Sequence, residues 1–213
     1  MILLTAAKVP EGLDKNILAS AVFLMFSNPE NEKYIREIKD RQDTSAACES
    51  LFALALVYGQ IRDLPCRIDT SRLVFRRNGC NKPYFADSPV KFNISHSKGY
   101  VACAVSLGEE LGVDIEAAEI SPERAEKLAK RYFSEQERHE ISKSPQMFAR
   151  KWTEKEAKAK FLGESVGNIL SSDKIDQKSE DSQGICLHSF SFDKIPITLC
   201  TKRDFSTISF TIQ

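Results

Sequence analysis

Three strand-like segments follow one another in the middle of the chain with no helical segment between them. They cover residues 92–94, 100–106 and 111–116, and Gly99 and Gly108 stand where the chain must turn. An alternating parallel sheet needs a crossover, usually a helix, after each strand. Consecutive strands of this kind therefore favour the α+β class over an alternating α/β sheet.

Helix signals are grouped on either side of these strands. Apolar residues recur at helical spacing from residue 44 to residue 62, which predicts one long core helix. In the second half, Ser121 and Ser144 each precede a proline, and Ser134 begins a Ser-x-x-Glu capping box. These residues predict three helix starts, and Gly163 is suited to end the last helix.

The remaining segments are predicted to contain loops and a second group of strands. The segment 64–89 is predicted to be mostly loop because prolines and turn residues interrupt it, and the polar segment 171–183 is predicted to be a mobile loop. Strand-like runs follow at 185–192, 197–201 and 205–212. Each half of the chain thus combines helices with a small sheet.

Composition and charge limit the partners. Thirty basic residues balance thirty acidic ones, so no net charge favours nucleic acid or an anionic membrane. Six cysteines and three histidines are scattered without the short spacings of a zinc site, and no signal-peptide pattern is found. The longest apolar run, residues 51–58, is too short to span a bilayer. We therefore expect a soluble, cytoplasmic protein with reduced thiols.

Two carboxylates alternate along the third predicted strand. Asp114 and Glu116 are two residues apart and project from one face, whereas Val113 and Ile115 project from the other. Two such carboxylates repel each other unless a cation compensates their charge, and Mg²⁺ is a hard cation that takes oxygen ligands. The alternative is that both side chains are solvated on an edge strand.

A third acidic residue lies on the last predicted helix. Trp152, Glu156 and Lys160 follow at intervals of four residues and so share one stripe of that helix. The alternative is that Trp152 is a core residue and that Glu156 and Lys160 form an ordinary surface ion pair. Most of the neighbouring positive charge falls elsewhere around the helix and is expected to be solvated, at Lys151, Lys155 and Lys158.

Polar residues also follow the first of the three strands. The segment 93–99 contains Ser95, His96 and Lys98, whose side chains can donate hydrogen bonds to phosphate oxygens. Loops at strand ends often bind ligands, but a histidine that caps a turn would give the same pattern.

Three motifs, taken in order, resemble those of a known family. They are Asn-Ile-Ser-His-Ser at 93–97, Gly-Val-Asp-Ile-Glu at 112–116 and Trp-Thr-Glu-Lys-Glu-Ala-Lys-Ala-Lys at 152–160. Together they resemble the 4′-phosphopantetheinyl transferases of the surfactin-synthetase-activating (Sfp) type. The resemblance implies a monomer with a pseudo-duplicated fold of two similar half-domains, 1–106 and 107–213, and coenzyme A bound between them.

The same resemblance implies the chemistry. Asp114, Glu116 and Glu156 would bind Mg²⁺, which bridges them to the diphosphate of coenzyme A. Glu156 would also act as general base for a serine hydroxyl of an apo acyl or peptidyl carrier protein, and Lys160 would contact the diphosphate. The products would be the phosphopantetheinylated carrier and 3′,5′-ADP.

The resemblance assigns further residues to coenzyme A. Ser95 and His96 are expected to contact its phosphates. Lys82 is expected to do so as well, because it follows Asn81 in a turn where the family has Gly-Lys-Pro. Asparagine at that position is a mild departure, since it tolerates positive φ better than other non-glycine residues.

A larger departure concerns the 3′-phosphate of coenzyme A. The family usually has basic residues before its first long helix for this group, and the usual arginine corresponds here to Asp43. Arg36 and Arg41 lie close enough in sequence to replace it, which makes them the candidates for 3′-phosphate binding.

Two other functions stay open from the sequence. The same carboxylates would suit a magnesium-dependent phosphohydrolase of a nucleotide diphosphate, although such enzymes ordinarily have further acidic ligands or a second metal. The other alternative is a catalytically idle module that binds coenzyme A or a carrier protein, against which Glu156 and Lys160 argue. The pathway of the carrier, whether fatty-acid, polyketide or peptide synthesis, is also open.

Overall fold

Helices and short sheets form an α+β fold, as the sequence predicts. The computed structural model describes residues 1–165, 167, 184–202 and 208–212. In chain order the elements are β1 (Ile2–Lys8), α1 (Lys15–Met25), α2 (Asn31–Lys39), α3 (Thr44–Arg62), a short 3₁₀ turn (Thr70–Arg72), β2 (Val74–Arg77), β3 (Pro83–Ala86), β4 (Val90–Ser97), β5 (Tyr100–Leu107), β6 (Gly112–Ile115), α4 (Pro122–Tyr132), α5 (Glu135–Lys143), α6 (Pro145–Leu162), β7 (Ile185–Phe192), β8 (Ile195–Lys202) and β9 (Ile208–Ile212).

The strands are divided between two small sheets and a hairpin. The first sheet has the order β4-β5-β1-β9, in which β1 is antiparallel to β5 and parallel to β9. The second sheet has the order β6-β8-β7 with antiparallel neighbours, and β2 pairs with β3. Strand β9 from the end of the chain thus joins the sheet that β1 begins. The boundary between residues 106 and 107 stays a prediction.

Helix α3 forms the core of the first half, and its predicted range is confirmed. Its Leu54, Val57 and Ile61 are fully buried and pack with residues of α1, α2 and the first sheet. By length and composition α3 could cross a membrane, but 56% of its most apolar stretch is buried inside the protein. It also carries Gln60, which donates to Leu3 O at 3.0 Å. These contacts are those of a core helix.

Residues 64–89 are mostly loop, as predicted, but they also contain the β2–β3 hairpin. Phe75 and Phe85 are register partners in this hairpin and pack in the core with Phe92. The side chain of Asn78 holds the turn by accepting hydrogen bonds from two backbone amides within it. Strands of four residues are too short for their alternation to stand out from a loop.

Three elements near the start of the chain, β1, α1 and α2, lie outside the sequence predictions. Helix α2 shows the reason, since the segment 31–43 is strongly charged and offers few buried apolar side chains. Tyr34, Ile35 and Ile38 are the apolar residues that α2 buries. They form a narrow stripe on a helix of nine residues.

The helix starts of the second half are confirmed. Ser121 caps α4, and Ser134 forms both bonds of the capping box at α5. Ser144 stands before α6 as predicted, although its side chain makes no capping bond there. Gly163 ends α6 with a φ of 68°, a left-handed conformation that glycine adopts without strain.

The prediction that the other lysines of α6 are solvated is wrong for two of them. Lys155 and Lys158 are only 7% and 8% exposed. Helix α5 packs against this part of α6, so Lys155 Nζ pairs with Glu137 at 3.0 Å and lies over the ring of Phe133. The polar sequence of α5 gives no sign of this packing.

Each of the six predicted strand runs contains a strand, but the strands are not arranged as predicted. Strands β4, β5 and β6 exist, yet β6 belongs to the second sheet because its backbone pairs with β8. The runs at 185–192 and 197–201 correspond to β7 and β8. Strand β9 begins at Ile208. The predicted loop 171–183 and residues 205–207 lie outside the described residues.

Candidate active site

Side chains of β4 connect this strand to the start and end of β6. Asn93, Ser95 and Ser97 are alternate residues of β4 and therefore project from one face. Each of these side chains accepts a hydrogen bond from one backbone amide. Asn93 Oδ1 accepts from Val113 N at 2.8 Å, Ser95 Oγ from Ile115 N at 3.4 Å and Ser97 Oγ from Ala117 N at 3.1 Å. These bonds fix the register of β6 against β4 across the boundary of the two sheets.

Two of these hydroxyls also orient the two carboxylates of the predicted metal site. Ser95 Oγ donates to Asp114 Oδ1 at 2.7 Å, and Ser97 Oγ donates to Glu116 Oε1 at 2.6 Å. The amide of Ala118 donates to the same Glu116 oxygen at 2.8 Å. Asp114 and Glu116 therefore lie side by side and line one cavity.

Helix α6 packs directly on the backbone of β6 at Gly112. A Cβ atom on this glycine would lie 2.1 Å from Ala157 O and 2.4 Å from Phe161 N. Real Cβ atoms do not come so close to backbone atoms, so the contact requires glycine. The close packing brings the next residues of α6 within reach of the β6 carboxylates.

Trp152, Glu156 and Lys160 share a stripe of α6, as predicted, and all three line the cavity. Lys160 Nζ donates to Asp114 Oδ1 at 2.8 Å and to Ser95 Oγ at 2.9 Å. It therefore bonds across elements and is not simply the surface partner of Glu156. Trp152 stacks on Phe148 with 5.9 Å between the ring centroids, which anchors the stripe.

Burial and like charge raise the pKa of Asp114 and of Glu156. Burial raises the pKa of Asp114, while the Lys160 ammonium and the Ser95 hydroxyl act in the opposite direction. Burial and the charge of Asp114 raise the pKa of Glu156 to about 7, with Glu116 adding to the effect and Lys160 opposing it. The three carboxylates thus act on one another electrostatically around one cavity.

The fit of a divalent cation follows from this repulsion. As the side chains stand, no three carboxylate, imidazole or thiol groups among the described residues are close enough to form a metal site. The donor set is nonetheless the one that Mg²⁺ uses, namely carboxylate oxygens that line one polar cavity. A divalent cation there would offset the repulsion between these carboxylates, which adds to the effect of burial in raising the pKa of Glu156 to about 7.

His96 also lines this cavity and is held on both ring nitrogens. Its Nδ1 lies 2.7 Å from Glu49 Oε2, and its Nε2 lies 3.2 Å from Ser50 Oγ. Arg41 Nη1 donates to the same Ser50 hydroxyl at 2.9 Å. The imidazole is therefore fixed by a network from α3, and is more than the cap of a turn.

Glu49 is a residue that the sequence analysis missed. It is buried, at 5% exposure, within the apolar helix α3. Its Oε1 accepts from Gly99 N at 2.6 Å and from Ser45 Oγ at 3.1 Å, while Oε2 faces His96. A glutamate within an apolar helical pattern is the signal that could have identified it, because such a carboxylate must have partners.

Lys82 and Asn81 lie where the hairpin turn meets the cavity. Lys82 Nζ donates to Leu111 O at 3.0 Å and pairs with Glu110 at 3.5 Å, and burial lowers its pKa. Asn81 has a φ of 65°, the left-handed conformation that the glycine of the family turn would adopt without strain. The lysine thus reaches the residues before β6.

The three arginines near the predicted 3′-phosphate position are placed differently. Arg41 lines the cavity, whereas Arg36 lies on the exposed face of α2, outside the cavity, and pairs with Glu32. Arg77, at the end of β2, lines the cavity and was missed by the sequence analysis. Asp43 accepts from Ala46 N and caps α3.

The site residues that line the cavity surround a volume of about 420 Å³. Asp114, Glu116, Glu156 and Lys160 lie around its acidic part, and His96, Arg41 and Arg77 supply its basic part. The two parts come from different sections of the chain, α2 to β4 for the basic side chains and β6 to α6 for the acidic ones. A cavity with both kinds of charge suits a ligand that carries several phosphates and a metal ion.

Comparison with known proteins identifies the family. The model of the 4′-phosphopantetheinyl transferase superfamily matches residues 110–207. The chain is 30% identical over 175 residues to the 4′-phosphopantetheinyl transferase Gsp of Aneurinibacillus migulanus. The aligned region covers 78% of this chain and 68% of Gsp. It is 32% identical over 139 residues to the transferase AcpT of Escherichia coli, covering 62% of this chain and 68% of AcpT. The chain belongs to the 4′-phosphopantetheinyl transferase superfamily.

Proposed function

We propose that this chain transfers the 4′-phosphopantetheine group of coenzyme A to a serine of an apo acyl or peptidyl carrier protein, with Mg²⁺. The observation that carries the proposal is the convergence of Asp114, Glu116, Glu156 and Lys160 on a cavity that also contains His96. Family membership supports the same reaction, because the relatives Gsp and AcpT are named as 4′-phosphopantetheinyl transferases.

In the proposed reaction the serine oxygen attacks the β-phosphorus of coenzyme A. The bond between that phosphorus and the bridging oxygen breaks, and 3′,5′-ADP leaves with the electron pair. The serine proton passes to Glu156, a carboxylate that lines the cavity. The chain itself forms no covalent intermediate in this scheme.

Asp114, Glu116 and Glu156 are the residues that would hold Mg²⁺. When bound, the ion would neutralise charge on the diphosphate and on the leaving nucleotide. Ser95 and Ser97 orient two of these carboxylates through the hydrogen bonds at 2.7 Å and 2.6 Å. Preorganised ligands of this kind reduce the cost of ordering the site when substrate binds.

Basic and hydroxyl side chains bind the phosphates of coenzyme A in this proposal. Lys160 stands beside Asp114 and lines the cavity, so its ammonium can donate to the diphosphate. Ser95, His96 and Lys82 line the same cavity, where they can contact phosphate oxygens. Since 1–106 and 107–213 each supply one side of the cavity, a single chain is expected to be active as a monomer.

Intact mass of a carrier protein tests the function. The chain, coenzyme A and Mg²⁺ are incubated with apo carriers of fatty-acid, polyketide and peptide synthesis in parallel. A mass increase of one phosphopantetheine is expected on at least one carrier and not on its serine-to-alanine variant. Unchanged masses for every carrier would contradict the proposal.

Release of 3′,5′-ADP separates the transferase from a phosphohydrolase. A transferase releases this nucleotide only when an apo carrier is present, because the carrier serine is the nucleophile. Equal release with and without a carrier would show that water is the nucleophile, and the proposed function would then be wrong.

A further inference from the structure

We propose that Asn78 is a positioning residue for substrate binding, because its side chain ties one wall of the cavity to the helix that carries Glu156 and Lys160. That wall is the turn of the β2–β3 hairpin, residues 78–82. The inference rests on the proposed function. It concerns how the two halves of the site are held together, not a contact with the ligand.

The turn and the end of α6 both border the cavity. Cys80, Asn81 and Lys82 line it from the turn, and Gly163 and Glu164 line it from the end of the helix. The turn belongs to the first half of the chain and α6 to the second. A bond between them therefore spans both halves at the cavity wall.

The side chain of Asn78 uses both ends of its amide. Its Oδ1 accepts hydrogen bonds from Cys80 N and from Lys82 N, each at 2.9 Å, and these bonds shape the turn. Its Nδ2 donates to Gly163 O at 3.4 Å. The last carbonyl groups of a helix lack partners within it, and Asn78 supplies a donor to one of them. One side chain thus forms the turn and attaches it to α6.

A second bond attaches the other end of the turn. Lys82 Nζ donates to Leu111 O at 3.0 Å, just before β6. Both bonds lead to the same unit, because β6 and α6 pack directly on each other at Gly112. The bond from Asn78 keeps the end of the turn that Lys82 does not hold against α6.

Loss of the Asn78 bond to α6 is expected to weaken binding without slowing the reaction of bound substrate. The turn would be free to move away from the helix, so ligand binding would have to order it. Asp114 and Glu116 would stay in place, since Ser95 and Ser97 orient them from β4. We therefore expect a higher KM for coenzyme A with an unchanged kcat.

Asn78→Asp removes this bond and keeps the turn. Its carboxylate still accepts from the two amides of the turn but has no hydrogen to donate to Gly163 O. Binding of 3′,5′-ADP, without a carrier, is followed by the fluorescence of Trp152, the only tryptophan of the chain, which lines the cavity. We expect Kd, and KM for coenzyme A, to rise about fivefold, as loss of one neutral hydrogen bond would give.

Gly163→Ala tests the same bond from the helix side without adding charge. Its Cβ would lie 3.1 Å from Asn78 Nδ2, so the asparagine must move back, and a similar rise in Kd is expected. Gly12→Ala is the matched control. Gly12 has a φ of 76°, close to the 68° of Gly163, but no atom lies within 4 Å of the added carbon, so Kd should match the wild type.

The double variant separates loss of the bond from the charge that aspartate adds. In the Gly163→Ala background the bond is already disturbed, so Asn78→Asp should change Kd there by less than about twofold. Effects of the two substitutions that simply multiply would overturn the role of Asn78. So would an Asn78→Asp chain with the wild-type Kd, or one that loses kcat alone.

Nucleotide binding also separates this inference from the proposed function. If Asn78→Asp weakens binding of 3′,5′-ADP as expected but the wild type modifies no carrier, the positioning role stands and the transferase function is wrong. If carriers are modified and both chains have the same Kd, the function stands and the positioning role is wrong. A wild type that binds no 3′,5′-ADP contradicts both.

Discussion

Lys160 Nζ lies 2.8 Å from Asp114 Oδ1, so the ammonium from α6 compensates a carboxylate of β6 that is almost completely buried. The Ser95 hydroxyl bonds to both groups. The ammonium and the hydroxyl oppose the rise in the pKa of Asp114 that burial causes, and the ammonium lies at the edge of the cavity. The pair therefore serves both stability and the proposed site.

Removal of the Lys160 ammonium is expected to reduce stability as well as activity. Lys160→Met leaves Asp114 buried without its cation, which costs about 3 kcal/mol in the free energy of unfolding. Urea unfolding measures this loss. Adding Asp114→Asn in the Lys160→Met background should recover part of the stability, because the uncompensated charge is then gone. A double variant less stable than Lys160→Met would show that charge is not the cause.

The Ser97 hydroxyl is expected to control the affinity for Mg²⁺ rather than for coenzyme A. Ser97→Ala removes the 2.6 Å bond to Glu116, so the carboxylate must be ordered when the metal binds. We expect the Mg²⁺ concentration for half-maximal activity to rise about tenfold. KM for coenzyme A at saturating Mg²⁺ should stay the same. Ser142→Ala, on the exposed face of α5, is the control and should change neither value.

Glu156→Gln separates catalysis from binding. The amide keeps the shape of the side chain but cannot accept the serine proton, so the rate of carrier modification should fall about 100-fold or more. Affinity for coenzyme A, measured by calorimetry, should fall much less. A variant that modifies carriers at the wild-type rate would remove Glu156 from the catalytic role.

The acidic part of the site could be predicted because it depends on local spacing. Alternation along one strand places Asp114 and Glu116 together, and helical periodicity places Glu156 and Lys160 on one stripe. What joins the two elements could not be predicted, since the contact at Gly112 depends on three-dimensional packing and not on spacing.

The basic part of the site was harder to predict from the sequence. Arg77 ends a strand of four residues, which is too short to show a period. Arg36 lies near Arg41 in the sequence, so its position did not exclude it as a binding residue. Only packing distinguishes them, because Arg77 lies on the buried Tyr34 and Arg36 points away from the cavity. The same limit applies to Lys155, which is buried where it pairs with Glu137 of α5.

Glu49 is expected to act by orienting His96. Glu49→Gln keeps an acceptor for Gly99 N but loses the charged partner of the imidazole, so KM for coenzyme A should rise about tenfold with little change in kcat. The same substitution in a His96→Ala background should add nothing further. Ser45→Ala, which removes a different bond to Glu49, is the control and should leave KM unchanged. Additive effects of Glu49→Gln and His96→Ala would reject this role.

Gly112 is expected to be the position in β6 that is least tolerant of a side chain. Its Cβ would lie 2.1 Å from Ala157 O, a backbone atom inside α6, so Gly112→Ala must push the helix away from the strand. We expect a loss of about 3 kcal/mol in the free energy of unfolding, at the upper end for overpacking. Gly79→Ala is the control, because no atom lies within 4 Å of the added carbon, and its stability should match the wild type within about 0.5 kcal/mol.

Displacement of α6 also moves Lys160 from Asp114, so activity should fall even at temperatures where Gly112→Ala stays folded. A Gly112→Ala chain as stable and active as the wild type would mean that α6 does not pack on β6 in this way.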